Sequence, residues 1–299
     1  MRKTILSTAD VARLFNVTET TVKRWADEGA LKCQKTPGGH RKFEMRHVVE
    51  FSTSHNFEPV GALELQTEDA DAREIQMAVL NRDFNALAGV FVHKALSPDV
   101  TDLYYFLSYL YQHRIQLWEL YDLVLSPGLG EIGALWARGE ITVSKEHMAS
   151  YETLDALAKL QSEIMVKPRL PHTVVCACVD DEDHEIGLRC AANIFESEGW
   201  RVHYLGARTP YKSIISTIEE LEPTTVCLSS TLPANPEGLR DHLRDIYATA
   251  RSHGVTVILR AGLLGPEDGK GPISDLVLNS MKDLLGYILE TREQATTNG

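Results

Sequence analysis

From residue 173 to residue 292 short apolar runs alternate with amphipathic stretches, and that alternation leaves few folds open to the chain. Residues 173 to 179 read Thr-Val-Val-Cys-Ala-Cys-Val, a β-branched run of the length expected for a strand covered on both faces. A polar loop follows. Ile186, Leu188, Ala191, Ala192, Ile194 and Phe195 then recur at helical spacing, and Gly199 stops the helix. Further apolar runs near 201–205, 225–229, 256–260 and 275–278 alternate with helical periodicity near 186–198, 210–221, 236–253 and 281–292. Strands that alternate with helices predict a doubly wound parallel sheet over residues 168–299. Such sheets take their ligands outside the carboxyl ends of the strands. The loop Glu182-Asp183-His184-Glu185-Ile186-Gly187 is therefore the first place to look for a site.

The amino-terminal part reads differently. Ser7 or Thr8 can cap a helix through about Phe15, a tight turn leads to Thr18 as a second cap, and a second helix closes at Gly29. Two short helices so joined predict a helix-turn-helix, whose second member enters the DNA major groove. Its outward positions are Thr20, Thr21, Lys23 and Arg24, while Val22 and Trp25 look inward. Residues 34–43, Gln-Lys-Thr-Pro-Gly-Gly-His-Arg-Lys-Phe, read as a β-hairpin wing with Lys35, His40, Arg41 and Lys42 flanking its turn, and a helix follows from 44 to 51. This head spans residues 1–55. Residues 56–67 lack sustained periodicity and serve as a linker. Helical patterns at 68–80, 84–96, 99–113, 116–137 and 143–165 then predict an antiparallel bundle over 68–167, with Ser126-Pro127-Gly128 as a break or kink in the fourth segment.

Charge divides the same way. The chain of 299 residues carries a net charge of -12, yet residues 1–60 hold ten Lys/Arg against seven Asp/Glu, and the remainder holds twenty against thirty-five. Only the amino-terminal end suits a phosphate backbone. Five cysteines show no zinc spacing, and Cys176 and Cys178 read as small core residues on one strand face. No apolar run is long enough for a membrane span and the start lacks a secretory apolar region, so the expected location is the cytoplasm, with no membrane partner.

In the loop after the first strand, an acid two residues before His184 can hold the ring tautomer, and Gly187 lets backbone approach a ligand. The pattern Glu182-x-His184-x-x-Gly187 resembles the lower-ligand motif of cobalamin-binding domains, which are flavodoxin-like in fold. The resemblance implies that His184 ligates cobalt from below in place of the cofactor's own base, the base-off/His-on state, and that the displaced nucleotide tail runs into the sheet. Ser230-x-Leu232 is similar to the family's Ser-x-Leu, and Ala261-Gly262 stands where the family usually has Gly-Gly. One methyl group is thereby added along the route of the tail.

The head, with its Thr36-Pro37-Gly38-Gly39-His40-Arg41 wing, looks like the DNA-binding domain of MerR-type regulators. In the bundle, Trp136 is followed by Glu146-His147, a pattern similar to that of light-sensing MerR-type repressors of the CarH and LitR kind. There the tryptophan covers the upper face of adenosylcobalamin, and the carboxylate and imidazole reach the adenosyl group. The resemblance implies a non-enzymatic, light-responsive repressor that binds operator DNA as a homo-oligomer, dimer or tetramer. One departure matters. The family's upper-ligand histidine follows the tryptophan, and this chain has Ala137, which cannot bind a metal. His147, His93 or His113 substitutes, or water does, or the signal is cobalamin supply or redox state rather than light. Further alternatives are a corrinoid methyl-transfer protein, which shares the bundle and the histidine but has no use for a winged head, and binding of another tetrapyrrole such as a haem or bilin.

Overall fold

The computed structural model describes residues 5–15, 17–36, 39–55, 70–97, 102–231, 235–261 and 271–297. The linker, the Pro37-Gly38 wing tip, Leu232 and Gly262 lie outside the described residues. The chain divides into two compact units, Met1–Met165 and Val166–Gly299.

The head begins with a strand that its sequence does not announce, β1 (Ile5–Ser7), too short to display an alternation. It is followed by α1 (Thr8–Leu14), α2 (Glu19–Asp27), β2 (Gln34–Lys35), β3 (Arg41–Glu44) and α3 (Met45–Ser54). The three strands form an antiparallel sheet in the order β1-β3-β2. Thr18 caps α2 by accepting from the Thr21 amide at 3.3 Å, and Gly29 ends it at φ +76°, a value that favours glycine. Val11, Phe15, Val22, Trp25, Leu31, Phe43, Val48 and Phe51 make the core. Phe15 meets Trp25 and Phe51 edge-on at 5.8 and 5.7 Å, pairs worth about 0.5–1.5 kcal/mol each beyond their burial.

The helical region contains α4 (Ala70–Asn81), α5 (Phe84–Ala95), α6 (Asp102–Gln112), the short α7 (Leu117–Glu119), a π-helical segment at Leu120–Leu125, α8 (Ser126–Ala137) and α9 (Val143–Leu160). The helix expected over 116–137 is not broken at Pro127. It widens to π geometry just before the proline, which then stands in the first turn of α8, where a missing amide hydrogen costs least. Gly128 lies under Phe91 of α5, and a Cβ there would come within 2.3 Å of the ring. Close passage of α5 and α8 thus requires a glycine. The last segment also ends earlier than expected, because a turn after Leu160 carries Glu163 into the interior. There Tyr104 and Ser108 of α6 donate to its carboxyl oxygens, Ser108 at 2.6 Å, and Gln112 Nε2 donates at 3.3 Å.

The second unit alternates throughout: β4 (Thr173–Val179), α10 (Ile186–Ser197), β5 (Arg201–Thr209), α11 (Tyr211–Leu221), β6 (Thr225–Ser230), α12 (Pro236–Ser252), β7 (Thr256–Ala261), β8 (Leu276–Val277) and α13 (Met281–Thr297). All pairings are parallel, in the order β5-β4-β6-β7-β8, which is the flavodoxin-like arrangement. Val175, Ala177, Val179, Val226, Leu228, Val257 and Leu259 pack on Ile214 and Ile218 of α11 and Leu239, Leu243 and Ile246 of α12. Alternation sends Cys176, Cys178, Cys227, Ser229, Ile258 and Arg260 to the opposite face, toward α10 and α13. β5 runs on to Thr209, past its expected end, through register shifts and the left-handed residues Gly206 and Arg208.

Burial pushes the Glu163 carboxyl above its ordinary value of 4.5. The raised folded value means that its contribution to stability is complete below that ordinary value and is lost as pH rises through the folded one. Glu163→Gln, which cannot ionise, should therefore flatten the pH dependence of the urea midpoint above pH 4.5. Glu163→Leu, which strands three donors, should cost about 2–4 kcal/mol below pH 4.5 and less as pH rises.

Candidate cofactor and nucleic-acid sites

The loop from Asp180 to Glu185 is built around one buried carboxylate. Glu182 is 5% exposed, and its Oε1 accepts from the His184 amide at 2.8 Å and from His184 Nδ1 at 2.6 Å. Its Oε2 accepts from the Thr231 amide at the end of β6. With Nδ1 bound as a donor, the tautomer leaves a lone pair on Nε2. That nitrogen has no hydrogen-bond partner among the described residues, and the ring is 60% exposed. The extended tail of β5 holds the loop from the other side, as the Asp180 amide donates to the Thr209 carbonyl at 2.8 Å and the Arg208 amide to the Glu182 carbonyl at 3.0 Å.

A competing metal ligand nearby is kept inert. Cys178 Sγ lies 3.9 Å from the His184 carbonyl, and burial, followed by the charges of Glu182 and Glu185, pushes its thiol up to about 12. It stays neutral at physiological pH. An exposed imidazole with a fixed tautomer, a neutral thiol behind it and a glycine three residues on fit the lower side of a corrinoid.

Gly187 opens the first turn of α10, where an added Cβ would stand 3.3 Å from Arg260 Nη1. Ser230 does not share that face. It continues the Val226–Leu228 row toward α12 and lines a cavity of about 410 Å³ with Asp180, Asp181, Glu182, Arg208 and His242. Ser229 is the serine on the Gly187 side, paired in register with Cys178 and Arg260. Spacing alone selects Ser230, and strand alternation could have separated the two.

In the helical region Trp136 ends α8 with half its surface exposed, and Val143, Met148 and Tyr151 of α9 are exposed as well. Glu146 accepts from Ser150 Oγ at 2.9 Å and lies 3.6 Å from His147 Nε2, whose ring is 74% exposed. Large apolar side chains in water beside an available carboxylate and imidazole suit an amphipathic ligand. Ala137 is exposed, as is His93, whereas His113 donates from Nδ1 to the Tyr109 carbonyl, 2.9 Å away.

In the head, Thr20, Lys23, Arg24, Lys35, His40 and Lys42 are exposed and Thr21 is half-buried. Lys23 pairs with Glu19 at 3.3 Å and Arg24 with Glu28 at 4.0 Å, exposed contacts that DNA can displace at little cost. Arg41 differs. Its side chain is 16% exposed and donates to both oxygens of Asp27, at 2.6 and 2.8 Å, with Lys35 joining at 3.4 Å. Arg41 beside it holds the Asp27 carboxyl below its ordinary range. This fork fastens the wing to the end of α2.

Two substitutions separate these roles. Arg24→Ala should leave the melting temperature unchanged and reduce the salt slope of DNA binding by about one, whereas Arg41→Ala should lower melting temperature and affinity together. Glu182→Ala should weaken cobalamin binding about 10- to 100-fold in a spectrophotometric titration, by freeing the ring of His184.

Comparison with known proteins assigns the same regions. A helix-turn-helix domain family matches residues 5–55, and two families described as B12 binding domain match residues 106–160 and 172–259. The transcriptional repressor CarH of Myxococcus xanthus is 35% identical over 41% of this chain, a stretch that spans 40% of the repressor. Dimethylamine corrinoid protein 1 of Methanosarcina acetivorans is 25% identical over 47% of this chain and 67% of its own length. The solved monomethylamine corrinoid protein of Methanosarcina barkeri shares the fold, with a TM-score of 0.55 at 14% identity over 67% of this chain and 96% of that one. No helix among the described residues is long and apolar enough to cross a membrane. The chain thus carries a helix-turn-helix domain and B12 binding domains, and in sequence it is similar to the CarH repressor.

Proposed function

We propose that the chain is a cobalamin-dependent transcriptional repressor, whose winged head binds operator DNA and whose second unit holds cobalamin through His184 on cobalt. The observation that carries this reading is the Glu182–His184 pair, which presents an exposed Nε2, unpartnered among the described residues, at the carboxyl end of the first strand of a parallel sheet. Gly187 and Ser229 lie along the route of the tail, with Leu232 and Gly262 following in sequence. Adenosylcobalamin, when bound, supplies a cobalt–carbon bond that visible light can break. Trp136, Glu146 and His147 receive the adenosyl group: the indole supplies apolar area, and the carboxylate and imidazole supply hydrogen bonds to its hydroxyls and base. The adenosyl-bound form assembles into a dimer or tetramer in the cytoplasm. Joined heads raise the effective concentration at the operator, so loss of assembly becomes a large loss of occupancy.

A second reading keeps the cofactor and the DNA but replaces light with cobalamin supply or redox state. Ala137 favours it, since no metal-binding atom follows Trp136. The relatives that are corrinoid proteins support a methyl-transfer reading only for the body, because a basic winged head serves no methyl transfer.

The chain purified with adenosylcobalamin in darkness should elute as an oligomer and retard duplexes selected from a randomised pool. Green light should then reduce both oligomer and retardation. A spectral change without loss of assembly selects the second reading, and absence of any corrinoid spectrum removes both.

A further inference from the structure

Four arginines of the second unit pair with carboxylates, and Arg169 and Arg201 are exposed to water. Arg208 pairs with Asp183 at 3.1 Å, Arg244 with Asp241 at 2.6 Å, Arg251 with Asp275 at 3.4 Å and Arg292 with Glu198 at 3.9 Å, and Arg189 lies 3.6 Å above the Tyr204 ring. Arg260 stands apart. It is half-buried, its Nη1 donates to the thioether of Met281 at 3.7 Å, and no carboxylate among the described residues pairs with it. A thioether is a weak acceptor, so a partly desolvated guanidinium is left poorly compensated.

Its placement indicates what completes it. Val257 and Leu259 face α11 and α12, so Arg260 faces α10, beside Ser229 in register and against Gly187. A Cβ at 187 would stand 3.3 Å from Nη1, so the guanidinium lies close against the first turn of α10. Arg260 is also one residue before Ala261-Gly262, on the face where the proposed nucleotide tail enters. The acidic body, with twenty cations against thirty-five anions beyond residue 60, offers no general attraction for an anion. Recognition of one must therefore be local.

We propose that Arg260 recognises the phosphodiester of the cobalamin nucleotide tail, through the juxtaposition of its guanidinium with Gly187 and Ser229, and so makes the site selective for corrinoids that carry a nucleotide. The inference rests on the cobalamin reading above. A planar guanidinium can donate two parallel hydrogen bonds to one phosphate, which lysine cannot reproduce.

The test uses the full chain titrated with hydroxocobalamin and with cobinamide, which has the corrin ring but no phosphate, ribose or base. Arg260→Met, similar in length, should lose roughly tenfold to a hundredfold in cobalamin affinity while cobinamide affinity stays within about twofold, and Arg260→Lys should fall between. The single phosphorus resonance of bound cobalamin should shift between wild type and Arg260→Met. Equal losses for both corrinoids, loss for neither, or an unmoved phosphorus resonance would overturn the assignment. A wild-type chain that binds neither corrinoid overturns the cobalamin reading itself, whereas one that binds both without preference overturns only the role of Arg260.

Discussion

The buried carboxylate of Glu182 is the constraint on which the second unit's site depends. An acid only 5% exposed must be compensated, and the donors that meet it include the His184 amide and ring and the Thr231 amide. The same contacts that stabilise the charge join the loop after β4 to the end of β6 across the centre of the sheet. They also fix which nitrogen of His184 faces outward. Removing the acid would therefore loosen a loop, strand two amides and free an imidazole at once. The proposed metal ligand and a structural clasp are here one arrangement.

The head shows a comparable division of labour among its cations. Arg41, placed in the wing beside Lys42, is turned inward onto Asp27, while Lys42, Lys35 and Arg24 stay accessible. A single guanidinium nitrogen of Arg41 that reaches both oxygens of Asp27 ties the wing to a nine-residue helix. A module of about fifty residues buries little core, so such a fastening matters more than it would in a larger domain. The remaining cations keep their weak, exposed partners until something more negative arrives.

Parity along the strands governs the rest of the cofactor site. In β6, Ser229 and Ser230 are adjacent in sequence yet face different helices, one toward Gly187 and Arg260, the other into the cavity with His242. Moving one residue along a strand exchanges faces, so a spacing argument that allows a one-residue ambiguity does not determine the side. The cysteines follow the same parity, with Cys176, Cys178 and Cys227 all toward α10, where burial keeps the Cys178 thiol protonated.

Much of this was legible in the residues. Apolar period and strand length determine the parallel sheet, caps and glycine stops determine α2 and α10, and the Glu182-x-His184 spacing determines that an acid can reach the ring, because these are local properties of the chain. What only the tertiary structure decided depends on partners distant in sequence. β1 exists because β3 is there to pair with it. β5 runs on to Thr209 because the His184 loop supplies partners for its backbone. The helix before Pro127 widens where it packs. Arg41 turns inward because Asp27, fourteen residues earlier, closes its fork, and Arg260 reaches Gly187 because β7 lies beside β6. Periodicity encodes which face is apolar, but only packing of the whole domain decides which charged group on that face finds a counter-charge and which is left waiting for one.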